Sequence, residues 1–278
     1  MSQKTWLITG CSSGLGRELA VFAAEKGDQV VATVRKESQV ESLNSKVPGR
    51  IDTIVMDVVN QDQVKAGITH TLSSYGRLDI LVNNAGYGSI GPVEEISDEE
   101  VKRQFNVNVF GAVSLIRESL AHMRTQRSGH IINITSIAGL RGTMGLGIYN
   151  GSKFALEGIG EALAQEVRHL GIHVTNVEPG PFRTKWAGAS ATYVALKNAD
   201  YEASAGELMK MLNEKDGNQP GDPQKAVAAM FALSRLESPP VHLPLGAFAY
   251  DAAYDKLAAL KKELEQYEHL GRPTDFDT

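Results

Sequence analysis

The chain has 278 residues, 42% hydrophobic and 22% charged, with a formal net charge of -5, an ordinary globular composition large enough for one large domain or two small ones. No long basic run marks a nucleic-acid or membrane-surface footprint, and no apolar run approaches the ~20 residues of a membrane span. The single cysteine, Cys11, excludes an internal disulfide framework, and the N-terminus lacks a signal-peptide pattern, so the expected location is cytoplasmic.

The first apolar run, Trp6 to Thr9, reads as a strand and leads into Gly10-Cys11-Ser12-Ser13-Gly14-Leu15-Gly16, after which a helical pattern begins at Leu15. Strand, glycine-rich turn and helix form the setting of a dinucleotide site: the turn approaches a pyrophosphate closely and the helix start donates amides to it. Gly10, Ser12, Ser13, Gly14, Leu15 and Gly16 are therefore cofactor candidates. Residues 29–34 form a second strand ending in Val34, followed by Arg35 and Lys36, with no carboxylate before Glu37. A carboxylate there binds the ribose 2′-hydroxyl of NAD, whereas a base accepts the 2′-phosphate of NADP. Arg35 thus points to NADP(H) over NAD(H), the alternative being a surface basic pair at a loop.

Residues 37–46 read as a short helix and residues 51–56 as the third strand. Asp57 and Val58 follow at its carboxyl end, where ligands lie in open parallel sheets. Asp57 is placed to bind adenine and equally to cap the helix expected over 61–75, two roles that do not exclude each other. The fourth strand, 78–82, runs into Asn83-Asn84-Ala85-Gly86, a polar then small turn suited to lie against a flat ligand. Ser97-Asp98-Glu99-Glu100 has the form of a capping box and opens a long helix through Leu120. Asn106 and Asn108 fall inside that helix, where asparagine is disfavoured, and suggest a local hydrogen-bonding task.

A fifth strand, 130–135, ends at Ser136. A glycine-rich connection leads to Tyr149-Asn150-Gly151-Ser152-Lys153 at the head of another helix. Four-residue spacing puts the phenol and the ammonium on one helix face. A neighbouring cation is expected to draw the phenol, normally deprotonated near pH 10, toward working pH. The sixth strand, 172–177, ends in Glu178-Pro179-Gly180-Pro181. The pattern loosens over 182–223, from a small, mixed stretch beginning at Ala187 to a helical one over 201–212; this segment is expected to overhang the site as a lid, with Trp186, Tyr193, Leu208 and Met211 as candidate lining. A helix over 223–235, a seventh strand at 241–243, a helix over 252–270 striped by Leu257, Leu260, Leu264 and Tyr267, and a tail over 271–278 complete the chain. No histidine spacing points to a metal; His169 and His173 straddle Gly171 and read as loop and strand residues. The alternation of strands and helices predicts one doubly wound α/β domain with a seven-stranded parallel sheet, a Rossmann fold.

Taken together, Thr9 to Gly16, Asp57, Asn83 to Gly86, Asn108, Ser136, Tyr149 with Lys153, and Pro179-Gly180 resemble the short-chain dehydrogenase/reductase family, across roughly residues 5–185. The second strand and the C-terminal third look more like its hydroxysteroid and retinol-type members and their bacterial relatives. Gly151 departs from the pattern, standing where alanine is common. The resemblance implies an NADP(H)-dependent oxidoreductase moving a hydride between nicotinamide and a carbonyl or secondary alcohol. By it, Tyr149 looks like the acid/base, Lys153 its neighbour that also binds the nicotinamide ribose, Ser136 the holder of the substrate oxygen, and Asn108, rather than Asn106, the anchor of a proton-conducting water. Pro179, Gly180 and Thr184 are expected to border the nicotinamide. The helices from Ser97 and Tyr149 are expected to pair in a homodimer or homotetramer. A non-catalytic dinucleotide-binding regulator and a sugar-nucleotide epimerase or dehydratase are the competing readings.

Overall fold

The computed structural model describes residues 3–276 apart from Ala187 and Ala189. The start of the expected mixed stretch at Ala187 and the tail's last residues, Asp277 and Thr278, lie outside the described residues. Seven strands form one parallel sheet: β1 (Thr5–Ile8), β2 (Gln29–Val34), β3 (Ile51–Val55), β4 (Ile80–Asn83), β6 (Gly129–Ile134), β7 (Ile172–Pro179) and β9 (His242–Leu245). Their spatial order is β3-β2-β1-β4-β6-β7-β9. The strand order reverses between β1 and β4, and that crevice is where ligands bind in such sheets.

The central strands β1 and β4 are buried at every position because helices cover both faces. In β1, Trp6 and Ile8 point to one core with α1 (Gly14–Glu25) and α8 (Pro223–Leu233), through Leu19, Ala23, Val227 and Met230. Leu7 points to the other, with α3 (Gln61–Tyr75), α5 (Ala112–Gln126) and α6 (Gly147–Val167), through Ile68, Leu115 and Leu163. The Trp6 ring stacks on Phe231 at 6.2 Å and its indole donates to Asp28 at 2.8 Å, so its polar edge is satisfied inside the core. Full burial of such side chains contributes about 1.5–3 kcal/mol each.

Several elements differ from expectation. The helix over 37–46 is a 3₁₀ turn, Glu37–Gln39, and one α turn, α2 (Glu41–Asn44). The N-cap of α3 is Asn60, whose side chain accepts from the Gln63 amide at 3.1 Å, so Asp57 is not the cap. The long helix from Ser97 is three pieces: α4 (Asp98–Phe105), a π turn (Asn106–Gly111) and α5. Ser97 does accept from the Glu100 amide, but the Glu100 carboxylate turns away to Ser89 Oγ at 2.5 Å, leaving the capping box half made. The segment 182–223 carries regular structure. Within it β8 (Ala191–Tyr193) pairs in parallel with β5 (Gly88–Ile90), and a 3₁₀ turn, a π turn and α7 (Glu207–Glu214) follow. The C-terminal helix α9 (Ala247–Gly271) buries only Ala249 and Ala252 among its described residues, and its stripe of Leu257, Leu260, Leu264 and Tyr267 faces outward.

Candidate active site

The carboxyl ends of β1 and β4 are locked together by Thr9 and Asn84. Thr9 Oγ1 accepts from the amides of Asn84 and Ala85, both at 3.0 Å. The Asn84 side chain donates back to Thr9 O at 2.7 Å and Gly10 O at 3.2 Å. The glycines make this approach possible: a Cβ on Gly10 would meet Ala85 Cα at 2.9 Å, and one on Gly16 would meet Asn84 Nδ2 at 2.2 Å. Asn84 thus holds the turn's shape from behind, and Thr9 is a site residue that spacing alone did not single out.

In front of the turn the start of α1 is free. Its N-cap, Ser13, makes no side-chain capping bond, and no acidic residue lies in the first turn. Gly14 adopts φ +63, in the left-handed region, and the nearest atom to a Cβ placed there is Thr184 Cβ at 3.8 Å. Ser12 is exposed and Leu15 half-buried beside it. An uncapped helix start with open space before it fits a pyrophosphate. Arg35 is exposed just beyond β2, and among the described residues no hydrogen bond or ion pair engages it. Asp57 Oδ1 accepts from the Val59 amide at 3.2 Å, while Val58 is buried under Gly111 of the π turn. The side chain of Val58 is therefore core; only its main chain can face a ligand.

On the other side of the crevice, β6 delivers Ser136 and α6 delivers Tyr149 and Lys153. Ser136 is half-buried, and its hydroxyl accepts from the Ala138 amide at 3.0 Å. Tyr149 and Lys153 are each 5% exposed, with the Lys153 ammonium 5.8 Å from the phenol ring centre and donating to Ile134 O at 2.8 Å. Burial pushes the Tyr149 phenol up to about 12, opposed by contact with the Ser136 hydroxyl. Burial pulls Lys153 down to about 8, opposed by the charge of Glu157. The expected shift of the phenol toward neutrality is therefore not what these side chains alone produce. In a dry pocket the cost of desolvating both charges outweighs their mutual attraction.

Asn108, 1% exposed, lies in the π turn, whereas Asn106 is exposed, so the structure brings the former and not the latter to the site. The Asn108 amide accepts from Tyr87 N at 3.1 Å and donates to Tyr87 O at 2.9 Å and Ser152 Oγ at 3.0 Å. Both donors of its side-chain amide are therefore in use. Gly86 covers this corner: a Cβ there would stand 3.2 Å from Asn108 Oδ1 and 3.5 Å from Lys153 Nζ. Ser152 continues the support by donating to Tyr149 O at 2.8 Å, and Gln104 Oε1 accepts from Ser89 N at 2.7 Å. Asn150 pins the preceding connection, donating to Ala138 O and Arg141 O and accepting from Thr143 N.

Trp186, in the segment after β7, packs over the phenol ring. The Trp186 ring lies 5.1 Å from that of Tyr149, and a Cβ on Gly88 would strike Trp186 Cζ2 at 2.7 Å. Tyr193 and Leu208 pack in the same cluster with Met209 and Leu212, whereas Met211 is exposed. Pro179 ends β7, the Gly180 amide donates to Leu245 O at 3.0 Å, and Thr184 Oγ1 accepts from Trp186 N at 3.3 Å.

A family model described as short chain dehydrogenase matches residues 4–193, from β1 through β8. The chain belongs to the short-chain dehydrogenase family. It is 38% identical over 247 residues to 3-ketodihydrosphingosine reductase of Bacteroides thetaiotaomicron, covering 88% of this chain and 89% of that one. It is 40% identical over 200 residues to human retinol dehydrogenase 8, covering 69% of this chain and 63% of that protein. A crystal structure of a short-chain dehydrogenase from Streptomyces avermitilis superposes with a TM-score of 0.93 at 37% identity, covering 99% of both chains. The chain is thus an oxidoreductase of the short-chain dehydrogenase family, whose members bind a nicotinamide dinucleotide and act on small molecules. Among the described residues no helix is long and apolar enough to cross a membrane.

Proposed function

We propose that this short-chain dehydrogenase is an NADP(H)-dependent carbonyl reductase or secondary-alcohol dehydrogenase with Tyr149 as its acid/base. The observation that carries the reading is the buried Tyr149 phenol in contact with the Ser136 hydroxyl, one helical turn from Lys153, across the crevice from the open start of α1. The relatives named for 3-ketodihydrosphingosine and for retinol motivate a carbonyl and alcohol pair as substrate and product.

The amides around Ser12, Ser13, Gly14, Leu15 and Gly16 would hold the pyrophosphate, and Arg35 the 2′-phosphate. Asp57 and the main chain at Val58 would take the adenine; Asn84, Ala85 and Gly86 would back the ribose and nicotinamide, with Pro179, Gly180 and Thr184 beyond. Bound there, the nicotinamide supplies or accepts the hydride. Ser136 would fix the substrate oxygen. Tyr149 would give its proton to that oxygen in reduction and take it in oxidation. Lys153 carries a depressed ammonium beside the phenol, so it would share its charge with the phenolate as that forms. Asn108 would act by placement, tying the π turn to Tyr87 and Ser152. Trp186 and the residues 182–223 would exclude water and shape the pocket.

The protein would work as a homodimer or homotetramer. Phe110 and Phe154 are exposed, and Val101, Phe105 and Phe110 line a shallow surface groove on α4 and the π turn. Exposed apolar surface of this kind marks interaction sites. The direct test is NADPH consumption by the purified protein over a panel of ketones and aldehydes, and NADP⁺ reduction with the matching alcohols. No turnover with any member, despite tight NADPH binding, would favour the regulator instead.

A further inference from the structure

Behind the catalytic helix the fold gathers three groups that the sequence scatters. Glu157 lies one turn beyond Lys153 on α6, Glu178 immediately precedes Pro179 on β7, and His242 opens the edge strand β9. Both carboxylates are buried, Glu178 at 0% and Glu157 at 3% exposure, while His242 is part-exposed and gives the cluster a path to solvent. His242 Nδ1 stands 2.9 Å from Glu178 Oε1 and 3.5 Å from Glu157 Oε2. One ligand atom from each of the three residues lies within 4.8 Å of the others.

Glu157 Oε1 and Glu178 Oε2 are buried without a hydrogen-bond partner. The Leu243 amide favours the Glu178 carboxylate from nearby but leaves Oε2 unsatisfied. The nearby Lys153 ammonium is committed to Ile134 O. Buried carboxylates that keep unused lone pairs are costly and call for a cation. A single imidazolium faces Glu157, Glu178 and, at 3.5 Å from its Nε2, Glu161 Oε1.

We propose that Glu157, Glu178 and His242 form a binding site for one divalent transition-metal ion, zinc foremost, that ties the edge strand β9 to β7 and α6. Metal–ligand bonds of about 2.0–2.2 Å in a tetrahedral site separate ligand atoms by roughly 3.3–3.6 Å. The 3.5 Å edge already matches, and the 2.9 Å edge must open by about half an ångström as the bridging proton is replaced by the ion. The outer partners are in place. Asn176 Nδ2 donates to Glu157 Oε2 at 2.7 Å, at the end of a buried amide ladder from Asn83 through Asn133. Glu161 lies where it can accept the Nε2 proton once Nδ1 ligates. Carboxylate support behind a ligating imidazole is the usual arrangement of such sites. One imidazole with two carboxylates suits zinc or manganese better than magnesium, which keeps several waters and takes oxygen ligands. The fourth position opens toward solvent beside His242. The site is structural: it fixes the strand whose Leu245 carbonyl holds the Gly180 amide at the edge of the active site.

The test uses the full chain, stripped with chelator and titrated with zinc chloride by calorimetry, with metal content measured after dialysis. One zinc per chain is expected, together with a rise in melting temperature and, on cobalt substitution, the visible absorption of a four-coordinate ion. Glu178→Gln, which keeps shape and removes the charge, and His242→Ala should each weaken binding roughly 10–100-fold or more and abolish the melting shift. Should His242→Ala fail to fold, Glu178→Gln decides. His269→Ala, at an exposed histidine on α9, should bind as wild type does. The proposal is overturned if the wild type retains no zinc, or if Glu178→Gln and His242→Ala bind it unchanged, which would mark adventitious surface binding.

Discussion

Gly16→Ala isolates the clamp that shapes the cofactor turn. The new Cβ would stand 2.2 Å from Asn84 Nδ2, 3.0 Å from Asn84 Cγ and 2.9 Å from Gly10 O. The main-chain oxygen cannot retreat without moving the turn, so the Asn84 side chain must leave. Its departure forfeits the bonds at 2.7 and 3.2 Å to Thr9 O and Gly10 O. Two such bonds are worth roughly 1–3 kcal/mol net, and the overpacking adds about 1–3 kcal/mol. Alanine returns about 0.5–1 kcal/mol through its better helix propensity. The expected loss is about 1–5 kcal/mol, which urea denaturation of the variant would read directly. NADPH affinity should fall with it, because the turn's amides lose their setting. Gly14→Ala meets only Thr184 Cβ, at an ordinary 3.8 Å, and carries just the left-handed backbone strain, about 1–2 kcal/mol. A Gly16→Ala protein as stable as wild type, or more stable than Gly14→Ala, would refute the clamp.

Three other outcomes follow from the same geometry. Arg35→Ala should weaken NADPH at least tenfold while leaving NADH nearly unchanged, read by fluorescence titration; equal losses would remove Arg35 from the 2′-phosphate. Lys153 titrates at about 8 in the folded chain against 10.5 for a solvated lysine, so the unfolded chain binds more protons between those values. The buried ammonium is therefore a cost that is full below pH 8 and fades as pH rises toward 10.5. Lys153→Met should be the more stable protein at pH 7, by a gain on the order of 3 kcal/mol less the lost bond to Ile134 O, and the gap should shrink by pH 9.5; a gap independent of pH would contradict it. Trp186→Ala should raise KM for a carbonyl substrate more than it lowers kcat, because the ring packs on Tyr149 without a hydrogen bond to it.

The sheet was readable because short, mainly apolar runs such as β1, β2 and β4 alternate along the chain with helical patterns. Residues whose work is local were readable too: Gly14 and Gly16 sit in a strand-turn-helix context, and Tyr149 and Lys153 share a helix face by spacing alone. What stayed hidden depends on contacts between distant segments. The three residues of β5 carry no alternation to announce a strand, and they pair with β8 a hundred residues on. Asn108 looked like a helix misfit, and it lies in a π turn whose Gly111 packs closely on Val58 of a distant segment. The charge state of Tyr149 could not be read from its neighbour at four residues, because burial dominates both groups. The Glu157, Glu178 and His242 cluster has no spacing signature, since three different elements supply it.

The central claim is that the Tyr149 phenol exchanges the substrate's proton. Tyr149→Phe keeps the ring against Trp186 and removes only the hydroxyl. Single-turnover reduction of a carbonyl substrate by the NADPH-loaded variant should be slowed by a factor of roughly 10²–10⁴ while NADPH binding stays as in wild type. Wild-type rates in that variant would contradict the claim.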